Sequence, residues 1–413
     1  MNTAQMAWRN VWRRKRRTLI TAFSIGFGVW LAATFTGMAL YMYGNMIDAS
    51  AATGFGHVTI EPADYNRTPT LDKRLSGVNR LRQQVLAEAG IKSAMVRITG
   101  QAMFASAVKS VGGMFLAIDP RQESADYNLL IRSLVEGEVF PAGDGYGVVV
   151  GRSLASKLNL RIGKKLVYTT TDANGDIVSE IARVGGIFET GVNEIDTGLV
   201  LLPIDRVRKV LAYAPDEATL LAVMLQDQRK ADTVRNRLEN RLGGPDREVL
   251  SWRQTQSDLA GMITIDGSSN YISQFLVALL IAAGVLNTLL MSVLERNREF
   301  GVMLAIGMSS RLLFRLVMVE SFWLALIGLS IGVLFTVPWY WYLDVYGLDF
   351  SSMLGGEDYS VSGVLVDPII RIRLHAQSIS IILAVVFGLA LLSGVYPAWR
   401  AGRIPPIESL RTI

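Results

Sequence analysis

The sequence predicts an α-helical membrane protein with four transmembrane helices and a large extracytoplasmic α+β domain, a mixed α/β subdomain carrying a β-rich insertion. Three observations lead there. Half of the 413 residues are hydrophobic and only 19% are charged, a balance that strains a purely soluble protein and excludes a disordered one. The apolar surplus is gathered into four long runs, and arginines crowd the ends of those runs. Between the first and second runs, Gly44 to Asn270 alternates strand-like with helix-like patterns.

Crossing the hydrocarbon core takes roughly 20 apolar helical residues. Four segments qualify: Thr18 to Tyr43, Tyr271 to Leu294, Leu312 to Tyr340 and Ser378 to Trp399. The first follows Arg13 to Arg17, is too long for a signal-peptide core and lacks a cleavage site, so it reads as an uncleaved span. The expected divisions are 1–44 for an amphipathic entry helix and span one, and 45–270 for the outer domain, with its β-rich insertion at about 135–215. Then come 271–294 for span two, 295–311 for a cytoplasmic helix, 312–340 for span three, 341–377 for an outer loop, and 378–413 for span four and a tail. Cations favour cytoplasmic flanks. Arg9 and Arg13 to Arg17 precede span one, Arg296, Arg298 and Arg311 lie between spans two and three, and Arg400, Arg403 and Arg411 follow span four. Both termini and the 295–311 connection are therefore expected in the cytoplasm of a bacterial inner membrane protein. The 341–377 loop carries five acids against Arg371 and Arg373, which suits the outside.

Within the outer domain, His57 to Pro62 reads as a strand and Val78 to Ala89 as a helix with Val78, Leu81, Val85 and Leu86 on one face. SAMVRI, AMFASAV and MFLAID read as three further strands. From Val135 follow the strand GVVVG, a helix at Arg152 to Leu158, a long hairpin from Lys164 to Glu189 and the strand TGLVLLP. LLAVMLQD, the helix Arg229 to Leu242 and EVLSW close the segment. Two strand–helix–strand units thus flank the insertion.

Several chemistries are excluded. There is no cysteine and there are only two histidines, so disulfides, thiolate metal sites and thiol catalysis are out. His57 and His375 sit in no metal-ligand or nucleophile context, so neither a catalytic residue nor a metal site is expected. The net charge of +5 lies beside apolar runs rather than along a soluble face, which argues against nucleic acid. TTTDANGDI at Thr169 to Ile177 lacks the full ligand set of a calcium loop and reads as a hairpin turn on Asn174-Gly175. RIGKK at Arg161 to Lys165 lacks the upstream glycine and the Ser/Thr of a phosphate loop. Trp339 to Tyr342 read as an interfacial aromatic belt. Glu320 is the one acid well inside a span, expected to pair with a nearby cation or a partner rather than to relay protons. Gly26, Gly28, Ala32, Ala33 and Gly37 allow close helix packing or a cavity wall, packing being the favoured reading.

The most informative stretch is NTLLMSVLERNREFGVMLAIGMSSR, Asn287 to Arg311. Apolar residues stop at Leu294, charges follow, and Val302, Met303, Leu304 and Ile306 restore an apolar ridge before Gly307, placed to end the helix in the left-handed conformation. Such a helix fits a partner's groove or the lipid headgroup layer equally well.

ERNREFGVMLAIG resembles the coupling-helix signature of FtsX-like, or MacB-type, ABC-transporter permeases, including the lipoprotein-releasing (Lol) branch. AWRNVWRRKRRTLITAFSIGFGV resembles their entry helix and first span, and YPAWRAGRIPPIESLR their C-terminal signature. VVVGRSLASKLNLRIGKKL and GGIFETGVNEIDTGLVLLP look like the β-rich subdomain of the lipoprotein-releasing branch.

The resemblance implies a non-catalytic permease subunit working as a dimer with a second copy or a paralogue. It implies that ATP and magnesium are bound by a dimer of a separate cytosolic ABC ATPase, which is contacted through Glu295, Arg296, Arg298, Glu299, Phe300, Gly301, Val302, Leu304, Ala305 and Gly307. The implied cargo is a lipoprotein or another lipidated amphiphile taken from the inner membrane, with a periplasmic lipoprotein carrier as acceptor. A cavity for acyl chains is expected from Phe35, Met38, Tyr41, Met42, Ile272, Phe275, Leu276 and Leu279, whose chemistry suits membrane lipid equally. Drug or peptide export of the MacB type, and FtsX-like regulation of cell-wall hydrolases, are the alternatives.

Overall fold

The computed structural model describes residues 3–140, 147–349, 360–361, 364–365 and 369–403. The expected tail from Ile404 and most of the 341–377 loop lie outside the described residues. The chain forms two compact units: one of residues 1–41, 264–349 and 369–413, the other of residues 42–263 and 350–368.

Six helices matter to the first unit: α1 (Thr3–Arg13), α2 (Lys15–Ser50), α3 (Ser257–Glu295), α4 (Asn297–Ala305), α5 (Ser310–Val345) and α6 (Ala376–Ala401). Four of them, α2, α3, α5 and α6, are long and apolar enough to cross a membrane. Each overruns the span expected from its apolar residues. Helix propagation needs only continued backbone pairing, so polar turns such as Ser257 to Asn270 extend the rod where composition alone would end it.

Glycines set how closely these helices approach. A Cβ on Gly328 would lie 2.6 Å from the Cβ of Ile25, and one on Gly332 would lie 2.7 Å from that of Val29. Reciprocally, a Cβ on Gly26 would lie 2.9 Å from the Gly332 backbone nitrogen. Gly328 and Gly332 are four residues apart, on one face of α5, and let α2 lie against it at backbone distance. Gly394 of α6 faces Ser321 of α5 in the same way, its would-be Cβ 2.8 Å from that of Ser321. The close-packing role expected of Gly26 is the observed one.

The second unit is built on a mixed sheet of ten strands: β1 (Val58–Pro62), β2 (Ile91–Ala105), β3 (Ser110–Ile118), β4 (Leu134–Gly137), β5 (Gly147–Gly151), β6 (Lys165–Thr171), β7 (Ile177–Phe188), β8 (Leu199–Pro203), β9 (Leu220–Leu225) and β10 (Arg247–Ser251). Their order is β10-β1-β9-β2-β3-β8-β5-β7-β4, with β6 bridging β2 and β7. The pairs β3–β8 and β5–β7 are parallel and the rest antiparallel. Strand β9, LLAVML, is buried at every residue and sits between β1 and β2, as a continuous apolar run with both faces covered should. The helices Val78–Leu86 and Ala231–Leu242 pack Val78, Leu81, Val85, Val234 and Leu238 into the same core.

Two expectations are corrected. SAMVRI and AMFASAV are one strand, β2, with Gly100 mid-strand because the Phe115 ring of β3 lies where a Cβ would stand, 2.7 Å away. The β-rich insertion is not a separate body: β2 pairs with β9 near its start and with β6 near its end, and one hydrophobic core runs from Val58 and Val223 to Val150, Leu166 and Tyr168. The Asn174-Gly175 hairpin turn is present, Gly175 having φ +89° and Asp172 accepting hydrogen bonds from the Asn174 and Asp176 amides.

Glu61 on β1 is fully buried opposite Glu248 of β10. One oxygen accepts the Asn66 amide at 2.9 Å and the other has no partner. Burial, then the Glu248 charge, push its carboxyl up to about 7, against the Asn66 amide and Lys73. A carboxyl raised in the fold stabilises fully below its unfolded value and loses that contribution as pH climbs through the folded one. Hydrogen-exchange protection of β1 and β10, corrected for intrinsic rates, should therefore fall by about 3 kcal/mol between pH 5 and pH 8. In Glu61→Gln that fall should vanish, and an unchanged slope would assign it elsewhere. In the helical unit, Gly332→Leu must displace Val29 and the α2 backbone, so the detergent-solubilised variant should lose ~3 kcal/mol or more of stability. Ser330→Leu, on an exposed face, should lose almost none.

Candidate ATPase-coupling site

Helix α4 is a nine-residue element between two long rods, and both of its ends are defined locally. After Ile306, Gly307 takes φ +102°. The Gly307 amide reaches Leu304 O at 3.1 Å and the Met308 amide reaches Met303 O at 3.0 Å, the paired bonds of a Schellman stop. Ser309 then caps α5, its side chain accepting from the Leu312 amide.

The two faces of α4 do different things. Inward, Phe300 is 1% exposed and belongs to a buried cluster with Ala7 of α1, Val293 of α3, Leu313, Leu316 and Val317 of α5, and Ala398 and Ala401 of α6. Five of the six helices thus meet at one ring. Gly301 is buried beside it. Outward, Arg298, Val302, Ala305, Ile306 and Gly307 are exposed, Ile306 at 82%. Glu295 at the end of α3 is also exposed, and Leu304 is half-buried.

Arg296, at the turn between α3 and α4, points inward too. Its guanidinium lies 3.0 Å from Glu320 Oε1 and 3.3 Å from Oε2, with both side chains under 10% exposed. Asn10 of α1 donates to the same Glu320 oxygen at 2.7 Å. Arg296 also bonds Glu299 at 3.0 Å and lies 4.9 Å over the Phe300 ring. Glu320 therefore has the nearby cation that its position demanded. Glu299 takes a second bond from Arg13 at 2.7 Å. Burial alone would raise its carboxyl, but the bonds from Arg296 and Arg13 hold it below the usual carboxylate range. Glu295 pairs with Arg14 and, at 3.0 Å, with Arg17. Arg17 also donates to the Thr288 carbonyl. A polar cavity of about 110 Å³ lies among these groups.

Of the ten residues named for partner contact, the structure turns Arg296, Phe300 and Gly301 inward, where they hold α4 in place. Ile306, which the sequence places on the apolar ridge, is exposed there. Sequence reading missed Asn10, Arg13, Arg14 and Arg17, whose partners Glu320, Glu299 and Glu295 are remote in the chain and leave no local signal.

The residues named for an acyl cavity differ in their surroundings. Phe35, Ile272, Phe275, Leu276 and Leu279 are exposed, Ile272 at 63%. Met38 and Tyr41 are half-buried, with Arg373 lying 5.8 Å over the Tyr41 ring. Met42 packs instead against the core of the outer domain. Gln274 does pin α3 to α2 by donating to Thr36 Oγ1 at 2.6 Å, between the neighbours of Phe35 and Phe275.

A bundle of helices long and apolar enough to cross a membrane, with a short helix between two of them and a mixed α/β domain inserted after the first, is the architecture of a membrane protein with one large inserted domain. Residues 271–406 match the model of the FtsX-like permease C-terminal family, and residues 18–241 match the MacB-like periplasmic core domain. The chain belongs to this FtsX-like, MacB-type family of ABC-transporter permeases.

It is 27% identical over 312 residues to the lipoprotein-releasing system transmembrane protein LolC of Xylella fastidiosa, covering 72% of each chain. To the lipoprotein-releasing system transmembrane protein LolE of Haemophilus influenzae it is 22% identical, covering 64% of each. To the macrolide export ATP-binding/permease protein MacB of Psychrobacter arcticus it is 24% identical over 67% of this chain and 40% of that one.

The site makes one quantitative demand. Removing one member of a buried ion pair strands its partner, at ~3–5 kcal/mol. Arg296→Met, which leaves Glu320 buried with Asn10 alone, should lower the unfolding free energy of the solubilised chain by that amount. The double variant Glu320→Leu with Arg296→Met should recover most of it, because no charge is then left without a counter-charge. Additive losses in that double-mutant cycle would show that the pair is not coupled.

Proposed function

We propose that this chain is the permease subunit of a lipoprotein-releasing ABC transporter. Four spans, with both termini and α4 in the cytoplasm, carry an outer domain on the opposite side. The observation that carries the reading is the two-faced helix α4: an exposed apolar ridge, Val302, Ala305 and Ile306, on a helix whose other face is locked to α1 and α5 by Phe300, Arg296 and Glu320. A ridge of that kind fits an acceptor groove, and a rigid backing passes on a push that a free helix would absorb. The acceptor in this reading is a cytosolic ABC ATPase dimer, which binds ATP and magnesium. This chain performs no chemistry, and a second copy or a paralogue completes the permease.

The cargo in this reading is a lipidated protein, supported by the lipoprotein-releasing names of the relatives and by the exposed apolar side chains of α2 and α3. Extraction opposes about 0.8 kcal/mol for each buried methylene. A multiply acylated molecule therefore leaves a membrane only with an energy source, and a periplasmic carrier that rebinds the chains would make release effectively irreversible.

The test uses the co-purified complex in lipid nanodiscs. Val302→Asp with Ile306→Asp should release the ATPase while leaving the permease melting temperature within a few degrees, since both side chains are exposed. Adding a triacylated lipoprotein should change wild-type ATP turnover. An ATPase that stays bound to the double variant would refute the docking face. Turnover indifferent to lipoprotein but altered by a macrolide would transfer the chain to the drug-export reading.

A further inference from the structure

Gly37 of α2 also admits a close neighbour, but that neighbour is not a helix. It is an extended strap, residues 369–374, that leads into α6. The first two residues of the strap pair antiparallel with Leu348 and Asp349, just past the end of α5, and His375 follows as the N-cap of α6. Alternate side chains of an extended chain point the same way. Ile372 and Leu374 turn towards α2, whereas Arg371 and Arg373 are exposed. Ile372 is 2% exposed, and a Cβ on Gly37 would lie 2.8 Å from its Cδ1 and 3.1 Å from Leu374 Cγ. Leu374 continues the row against Ala32 and Ala33 of α2 and Ile382 of α6. Arg373 closes one end of it, over the Tyr41 ring. Ala33, Gly37 and Tyr41 are spaced by four on one face of α2, so the strap fills a slot ~12 Å long with a floor of very small residues.

What sits in the slot shows what it accepts: a single file of aliphatic carbon. The fastening is light. Among the described residues one backbone hydrogen bond, from the Arg373 amide to Gly37 O at 2.9 Å, joins the strap to α2, and its acceptor lies in a helix that pairs its own carbonyls. At bilayer depth contact with lipid is as favourable as contact with a leucine, so a hydrocarbon tail can replace Ile372 and Leu374 like for like. Resting on the lipoprotein-releasing reading above, we propose that this slot binds one acyl chain of the cargo and that Ile372 and Leu374 are its built-in plug. Entry of the tail lifts the strap. Because the strap joins the end of α5 to the start of α6, its release reports an occupied slot to α5, the helix that carries Glu320.

The test uses the co-purified complex in nanodiscs and a triacylated lipopeptide with a photoreactive diazirine in one acyl chain, the labelled residues being mapped by mass spectrometry. A plug that leaves the slot open in about a tenth of molecules lowers the apparent affinity about tenfold. Wild type should therefore be labelled weakly at residues 32–41. At sub-saturating probe, Ile372→Ala with Leu374→Ala should raise that labelling about tenfold, Ile372→Ala alone should raise it less, and Gly37→Leu, which fills the slot, should abolish it. Melting temperatures identify a variant that does not fold, and Ile372→Val, which removes one methyl group, then carries the comparison with a smaller rise. Equal labelling of residues 32–41 in wild type and the plug variants would overturn the plug. A diazirine phospholipid that labels the slot and is not displaced by unlabelled lipopeptide would make it a membrane-lipid site and overturn the cargo assignment. Lipopeptide that labels the chain only elsewhere sinks the slot alone, whereas lipopeptide that labels nothing and leaves ATP turnover unchanged sinks the cargo reading beneath it.

Discussion

A carboxylate inside an apolar helix bundle requires a counter-charge, and much of the first unit is arranged around that requirement. Glu320 sits on α5 where side chains are otherwise apolar, and an isolated charge there costs several kcal/mol even after relaxation. The answer is Arg296 from the α3–α4 turn and Asn10 from α1. Two residues remote in sequence are thereby forced to one point, and the direction of α4 follows. With Arg296 held inward, Phe300, four residues on, faces the same way, and the opposite face, Val302 and Ile306, is left outside. The outer ring of charge, Arg13 with Glu299 and Arg14 and Arg17 with Glu295, is half-exposed. It adds little stability by itself, but it fixes the register of α1 against the turn.

Packing supplies what the charges cannot. In a bilayer the hydrophobic effect does not distinguish helix from lipid, so helices stay together through close contact and polar bonds. Gly26, Gly328 and Gly332 provide the first. Thr21 with Thr288 at 3.1 Å and Gln274 with Thr36 provide the second, along α2 and α3. These bonds recur at intervals along the helices, so α2, α3 and α5 behave as a framework against which a local push at α4 has something to act.

What the sequence disclosed, and what it hid, follow from the range of each interaction. The long apolar helices, the Schellman stop at Gly307, the hairpin at Asn174-Gly175 and the helix at Arg152 to Leu158 were legible because each is specified by its own stretch of chain. Sheet order was not. That β10 lies beside β1, or that β2 is long enough to fuse two presumed bodies into one core, depends on partners more than a hundred residues away. Gly100 misled for a related reason: a glycine inside a strand pattern reads as a break until the ring that requires it, Phe115, is in view. In the site, the charged and apolar letters of α4 announced a two-faced helix but not which face looked inward. The deciding residue, Glu320, was visible as an anomaly while its partners were not.

That orientation bears on how an energy source outside this chain could act through it. A helix that touched a partner with Arg296 and Phe300 would have to give up the Glu320 pair and the five-helix cluster to do so, a loss of the order of 3–5 kcal/mol for the ion pair alone. A helix that offers Val302 and Ile306 gives up nothing. Displacing α4 through that ridge must then either move α5 and α1 with it or break the buried pair. Because the pair is far stronger than an exposed salt bridge of ~0–1 kcal/mol, concerted movement is the cheaper course. The buried acid is thus best understood as the fastening that makes a nine-residue helix part of two much longer ones.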